Sequence, residues 1–138
     1  MNEKDAHKVW DEYHQEILNR RLTEAKILNE HFKRNSIGEE TDLVLDFTFF
    51  SNDETGALNL IEQLKENYEV SSYKKGDYWY VDATSRPYAV NLNSNQHIDW
   101  VNFMHEVALS HRSIFSVWSL TDPKTEKVWS SDKVDTGL

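Results

Sequence analysis

Apolar residues along this 138-residue chain change their period several times, and each change marks an element. From residue 3 to about 34 they recur at helical spacing, as Ala6, Trp10, Tyr13 and Ile17, then Leu18, Leu22, Ala25, Leu28 and Phe32, with no Gly or Pro among them. The stripe drifts around the helix, which suits a long helix wrapped over a globular body better than a strict heptad seam. Pairing of this helix with a second copy, in a homodimer, is the alternative. The stretch "NSIGEETD" ends the pattern, with Gly38 expected as the stop and Asn35 or Ser36 closing the helix.

A period of two follows. Over residues 43–50, Leu43, Leu45, Phe47 and Phe49 alternate with Val44, Asp46, Thr48 and Phe50, which predicts a strand with one apolar face. Ser51 and Glu54 have capping-box spacing ahead of a helix whose apolar side is Ala57, Leu60, Ile61, Leu64 and Tyr68. Residues 69–73 and 78–84 predict a hairpin closed by "KKGD", where Gly76 supplies the positive φ. In its second strand Trp79, Val81 and Ala83 point toward the core, and Tyr78, Tyr80 and Asp82 point the other way. After an Asn-rich loop broken by Pro87, a helix is predicted from about Gln96 to Ser110. It has two apolar sides, one with Ile98, Val101, Ala108 and Leu109, the other with Trp100, Phe103, Met104 and Val107. Such a helix is expected between two layers, the sheet on one side and the first helix or a second subunit on the other. "SIFSVWSL" predicts a fourth strand, and Val128 and Trp129 a short fifth before a polar tail.

Without its first helix the chain reads β-α-β-β-α-β. That order closes as an antiparallel four-stranded sheet with two helices on one face, so the expected class is α+β, ferredoxin-like, with an additional long N-terminal helix and a short C-terminal strand or tail. Residues 1–36 form the helix that packs on the body and 39–138 the α+β domain, one domain overall.

Composition narrows the function classes. The absence of cysteine excludes a disulfide framework, thiol catalysis and cysteine zinc sites, and a cytoplasmic location is the default expectation. The N-terminal residues alternate in charge where a signal peptide needs an apolar segment, and no apolar run approaches the ~20 residues that span a bilayer, so no membrane association is expected. A net charge of −9 argues against direct nucleic-acid binding. Residues 39–82 hold 3 basic and 11 acidic side chains, a net −8, and so concentrated a patch attracts a basic partner.

Candidate chemistry is sparse. Glycines at 38, 56, 76 and 137 stand too far apart for a phosphate-cradling loop or a dinucleotide fingerprint, and no cofactor is expected. His7, Asp11 and His14 lie one helical turn apart, as either a weak metal site or solvated helix residues; no metal is expected. His105 reads as a core histidine or as a base or pH switch. Asp46 and Asp82 read as a carboxylate pair for acid-base work or as two surface acids. Tyr78, Tyr80, Asp46, Thr48 and Phe50 share one sheet face, which is either a protein-binding surface or the bed of the long helix.

The strand "LDFTFFSND" followed by "ETGALNLIEQL", the hairpin "YEVSSYKKGDYWYVDA", and the helix "WVNFMHEVALSH" leading into a strand with Trp118 form a pattern over residues 43–122. It resembles the family of regulators of ribonuclease E activity, subtype B (RraB). Phe115, Ser116 and Val117 depart from the turn that precedes the family's tryptophan, and the long first helix lies outside the resemblance. The resemblance implies a ferredoxin-like core, no enzymatic activity, no cofactor, and inhibition of RNA decay by direct binding to ribonuclease E. Together with the acidic segment it makes a non-catalytic protein-binding regulator the leading expectation, a ribonuclease inhibitor whose basic partner meets Asp46, Glu62, Glu66, Tyr78, Tyr80 and Asp82. An immunity protein neutralising a nuclease toxin is the alternative. A small hydrolase or metal-dependent enzyme using Asp46, Asp82 or His105 is the third reading.

Overall fold

The computed structural model describes residues 3–38 and 40–137, so the domain boundary expected at residue 39 lies outside the described residues. Its elements are α1 (Glu3–Arg34), β1 (Val44–Ser51), α2 (Glu54–Leu64), β2 (Glu69–Lys75), β3 (Tyr78–Thr84), α3 (Ser94–Ser110), β4 (Ile114–Thr121) and β5 (Val128–Ser130), followed by a single 3-10 turn at Ser131–Lys133. The strands form one antiparallel sheet in the order β2-β3-β1-β4-β5. The first four are in ferredoxin-like order, β5 extends the sheet past β4, and the predicted α+β class holds.

Alternation in β1 sends Leu45, Phe47 and Phe49 to the helical side, where each is at most 2 % exposed. Phe47 lies opposite Ala83 of β3, and Phe49 opposite Val81. On the β4 side strict alternation would fail, because Phe115 and Trp118 are three residues apart and belong on opposite faces. The register shifts between Thr48 and Phe49, so that Phe47 faces Trp118 while Phe49 faces Phe115. This bulge brings both rings into the core, stacked with centroids 5.3 Å apart. The β2–β3 turn is Gly76-Asp77, with Gly76 at φ 62°, as expected of a two-residue hairpin whose first central residue is glycine.

Ser36, one of the two residues expected to close α1, takes the left-handed position after it at φ 58°, and the Ile37 N–H donates to the Phe32 carbonyl at 2.8 Å in a Schellman closure ahead of Gly38. Two local details differ from the expected ones. Asp53, not Ser51, caps α2: its carboxylate accepts from the Thr55 N–H at 3.1 Å, while Ser51 donates to the Arg112 carbonyl. The last helix begins two residues earlier than expected, because Asn93 and Gln96 make a reciprocal capping box there.

α1 packs on α3 through Ala25, Leu28 and Phe32, leaving α3 between α1 and the sheet. The contact is pinned by a buried chain of hydrogen bonds. Trp118 Nε1 donates to His97 Nε2 at 3.0 Å, and His97 Nδ1 lies 2.8 Å from Asn29 Oδ1, so one neutral imidazole joins β4, α3 and α1. Nearby, Arg21 donates to the Phe115 carbonyl and pairs at 2.7 Å with the buried Glu24. Three residues expected within the apolar layers are not covered: Phe103 is 56 % exposed on the outer flank of α3, and Trp10 and Tyr13 are 58 % and 44 % exposed on α1. The first half of the α1 stripe meets the body only loosely, its rings half in water.

Candidate functional site

Because α1 lies on α3, it leaves the sheet unroofed except at the Phe50–Tyr78 end, which its first half overhangs. The face opposite the helices carries Asp46, Thr48 and Phe50 of β1 beside Tyr78, Tyr80 and Asp82 of β3, with Ser71 and Tyr73 of β2 on the outside. The rings gather at one end. Phe50 meets Tyr78 edge-on at 5.7 Å and Tyr80 at 6.3 Å, and Tyr80 stacks on Tyr73 at 5.2 Å with planes 11° apart. Cross-strand aromatic packing of this kind holds rings rigid while their outer surface stays wet. Tyr73 and Tyr78 are 48 % and 44 % exposed.

The other end is a shallow trough of about 670 Å³. Four carboxylates line it, Asp46, Glu69, Asp82 and Asp132, among the hydroxyls of serines and threonines and without a lysine or arginine among the lining residues. Thr48 Oγ1 donates to Asp82 Oδ1 at 2.7 Å, which orients that carboxylate. Arg86 reaches Asp46 from the rim at 3.3 Å, with its side chain 54 % exposed. The trough is therefore anionic with fixed acceptors, the complement of a guanidinium or ammonium group.

Of the six contacts expected from the sequence, the structure brings four together on this face: Asp46, Tyr78, Tyr80 and Asp82. Glu62 and Glu66 are not with them. Glu62 lies on α2, on the helical side of the sheet, and accepts from Lys65 at 2.6 Å; Glu66 follows that helix and is exposed. Their net charge counts in the same acidic segment, but the sheet separates them from the trough. Conversely, Glu69, Tyr73 and Asp132 belong to the face and were not among the expected contacts. Tyr73 was legible by parity with Tyr80 in the hairpin; Asp132 was not, since only the β4–β5 turn returns it to the sheet.

The histidines sit elsewhere. His97 is held neutral, its pKa lowered to about 4 by burial between α1 and β4. His105 is buried on the α1 side of α3, where burial lowers its pKa, Glu106 opposing and His14 and Arg21 of α1 adding to the fall. It lies across the sheet from Asp46 and Asp82 and shares no site with them. His7 pairs loosely with Glu3 at 3.8 Å and His14 stacks on Trp10, and no group of three or more metal-ligating side chains occurs among the described residues. Burial raises the Glu24 pKa, with the Arg21 guanidinium pulling it back. Among the described residues no helix is long and apolar enough to cross a membrane.

Compared with known proteins, the chain matches no family model and no curated sequence.

Proposed function

We propose that this chain is a non-catalytic regulator that binds a basic protein on the open face of its sheet, in the cytoplasm, with a ribonuclease as the partner class suggested by the resemblance of residues 43–122. One observation carries the reading: clustered rings and a four-carboxylate trough share a sheet face that, among the described residues, no helix seals, α1 overhanging only its Phe50–Tyr78 end. Rings that are already packed give burial at low entropic cost, and fixed carboxylates select and orient cations. The alternative use of such rings, stacking nucleic-acid bases, sets phosphates against those same carboxylates and is disfavoured by charge.

The test uses the intact chain as bait for a purified ribonuclease E catalytic domain, alongside the doubly charge-reversed variant Asp46→Lys/Asp82→Lys. The wild type is expected to bind at low salt, to release as salt rises, and to slow RNA cleavage; the variant should do none of these. Unchanged cleavage with no binding removes the ribonuclease as partner. Equal capture of basic proteins by wild type and variant removes the face itself.

A further inference from the structure

At its aromatic end the open face runs into a second depression, of about 680 Å³, roofed by the overhanging half of α1. Trp10, Tyr13 and His14 line it from the helix, and Phe50 and Tyr78 line it from the sheet. The helix rings are already arranged: Trp10 stacks on His14 at 5.4 Å and meets Tyr13 edge-on at 5.9 Å. Yet Trp10 and Tyr13 remain 58 % and 44 % exposed, so this half of the stripe leaves its apolar surface in water. His14 Nδ1, shielded from solvent, has no hydrogen-bond partner among the described residues. The volume falls within the roughly 300–1,000 Å³ typical of ligand clefts.

Phe50 and Tyr78 line this second depression and not the trough, but Phe50 shares its sheet face with Thr48 and Asp46, which line the trough. Along β1, Phe50 and Asp46 lie on one face four residues apart, about 13 Å at strand rise. We infer that the partner is recognised through a two-part segment: an apolar or aromatic side chain anchored between Trp10 and Phe50, and an arginine or lysine about 13 Å away over Asp46 and Asp82. This rests on the protein-docking reading of the sheet face and adds to it the overhang of α1 as half of the binding site. Charge complementarity selects the occupant. A groove lined by rings, with Arg112 at its edge paired to Asp53, on the same sheet face as an anionic trough fits a segment that carries both a hydrophobic anchor and a cation, and each half alone satisfies only one end.

The probe is a fluorescein-labelled peptide in which a Leu-Trp pair is joined by four Gly/Ser residues, long enough to span about 13 Å, to three arginines. Its binding to the full chain is read by anisotropy at low salt, beside peptides lacking the Leu-Trp pair or with glutamine for arginine. Trp10→Ala, at an exposed position and checked for an unchanged circular dichroism spectrum, is expected to weaken the complete peptide about tenfold and to leave the arginine-only peptide unaffected. Asp82→Asn should weaken both arginine peptides and flatten their salt dependence. If Trp10→Ala is silent while Asp82→Asn still weakens binding, the anchor is wrong and the sheet-face reading stands. If neither substitution matters, or the complete peptide does not bind, both are overturned. A concentration-dependent dimer that Trp10→Ala dissolves would assign the groove to a second copy and overturn the inference, as would tighter binding of a single-stranded RNA decamer than of the peptide.

Discussion

On the helical face of the sheet Phe49 and Phe115 are 0 % exposed and Trp118 is 1 % exposed, whereas on the open face Tyr73 and Tyr78 keep nearly half their surface. Both faces come from the same strands and the same alternation. What differs is the layer above: α2 and α3 seal one side, and α1, drawn onto α3 by Leu28, Phe32 and the Asn29–His97–Trp118 chain, is unavailable to seal the other. The sealed face draws its stability from burial at about 25 cal/mol per Å² of apolar surface. The open face is held by local pairs, ring on ring and Thr48 on Asp82, and its remaining apolar area is left for a partner. Substitutions on the two faces should therefore differ sharply in what they cost.

Trp118→Ala should cost most. Its ring is enclosed by Phe115, Trp100 and His97, and truncation leaves a cavity and deprives His97 Nε2 of its donor. Loss of a buried ring of this size costs about 3–5 kcal/mol, measurable as a fall in the urea midpoint. A loss under about 1 kcal/mol would mean that the sealed face is loosely packed and that the contrast is false.

His97 gives the next effect, through pH. Its pKa is near 4 in the folded chain against about 6.5 unfolded, so between those values the unfolded chain binds the extra proton. Its contribution is complete above about pH 6.5, declines as pH falls, and is exhausted near pH 4. At about 1.4 kcal/mol per unit, the loss across that window is about 3 kcal/mol. His105, also lowered by burial, adds in the same direction, and Glu24, whose pKa is raised, opposes it. Chemical denaturation at pH 7 and pH 4.5 should show the decline, and His97→Gln, which keeps a donor and an acceptor without titrating there, should flatten it. An equal decline in wild type and variant would assign the pH dependence to other groups.

Most of this architecture was readable from the period of the apolar residues. The five strands, the three helices and the Gly76 turn follow from alternation, helical spacing and turn chemistry, all of them local. What escaped was non-local. The β4 bulge depends on the pairing with β1, so parity alone misplaces Phe115 relative to Trp118. The path of α1 depends on which neighbour its drifting stripe meets: Ala25, Leu28 and Phe32 are buried against α3, while Trp10 and Tyr13 reach only the end of α3 and stay half in water. For the site, strand parity was enough to group Asp46, Tyr78, Tyr80 and Asp82. Glu62 and Glu66 were drawn in by their nearness in sequence, which says nothing about the side of the sheet on which a helix lies.

Gly56→Ala tests the seal from the helix side. A methyl group built there meets the His111 carbonyl oxygen at 2.3 Å, where α2 crosses the end of α3. That oxygen is backbone, and the adjoining Arg112 holds φ at 55°, so the turn has little room to yield. Alanine gains up to about 1 kcal/mol over glycine in helix propensity, but the clash costs more. A net loss of about 2 kcal/mol is expected in thermal or urea unfolding. A stabilised variant would show that α2 and α3 can separate freely at this point.

The smallest expected change belongs to the open face, and it bears most directly on function. Asparagine at position 82 keeps an oxygen able to accept from Thr48 Oγ1, now 2.7 Å from the carboxylate, and preserves size and shape. It also removes one of the four negative charges that line the trough, relieving some mutual repulsion. These effects oppose each other at a half-buried position, so the Asp82→Asn chain should unfold within about 0.5 kcal/mol of the wild type. The same substitution is expected to weaken a cationic peptide several-fold, because a fixed charge-assisted acceptor is worth about twice a neutral one. Loss of stability above about 1.5 kcal/mol with unchanged peptide binding would make Asp82 a structural residue, and the two faces would then be held by the same kind of energy.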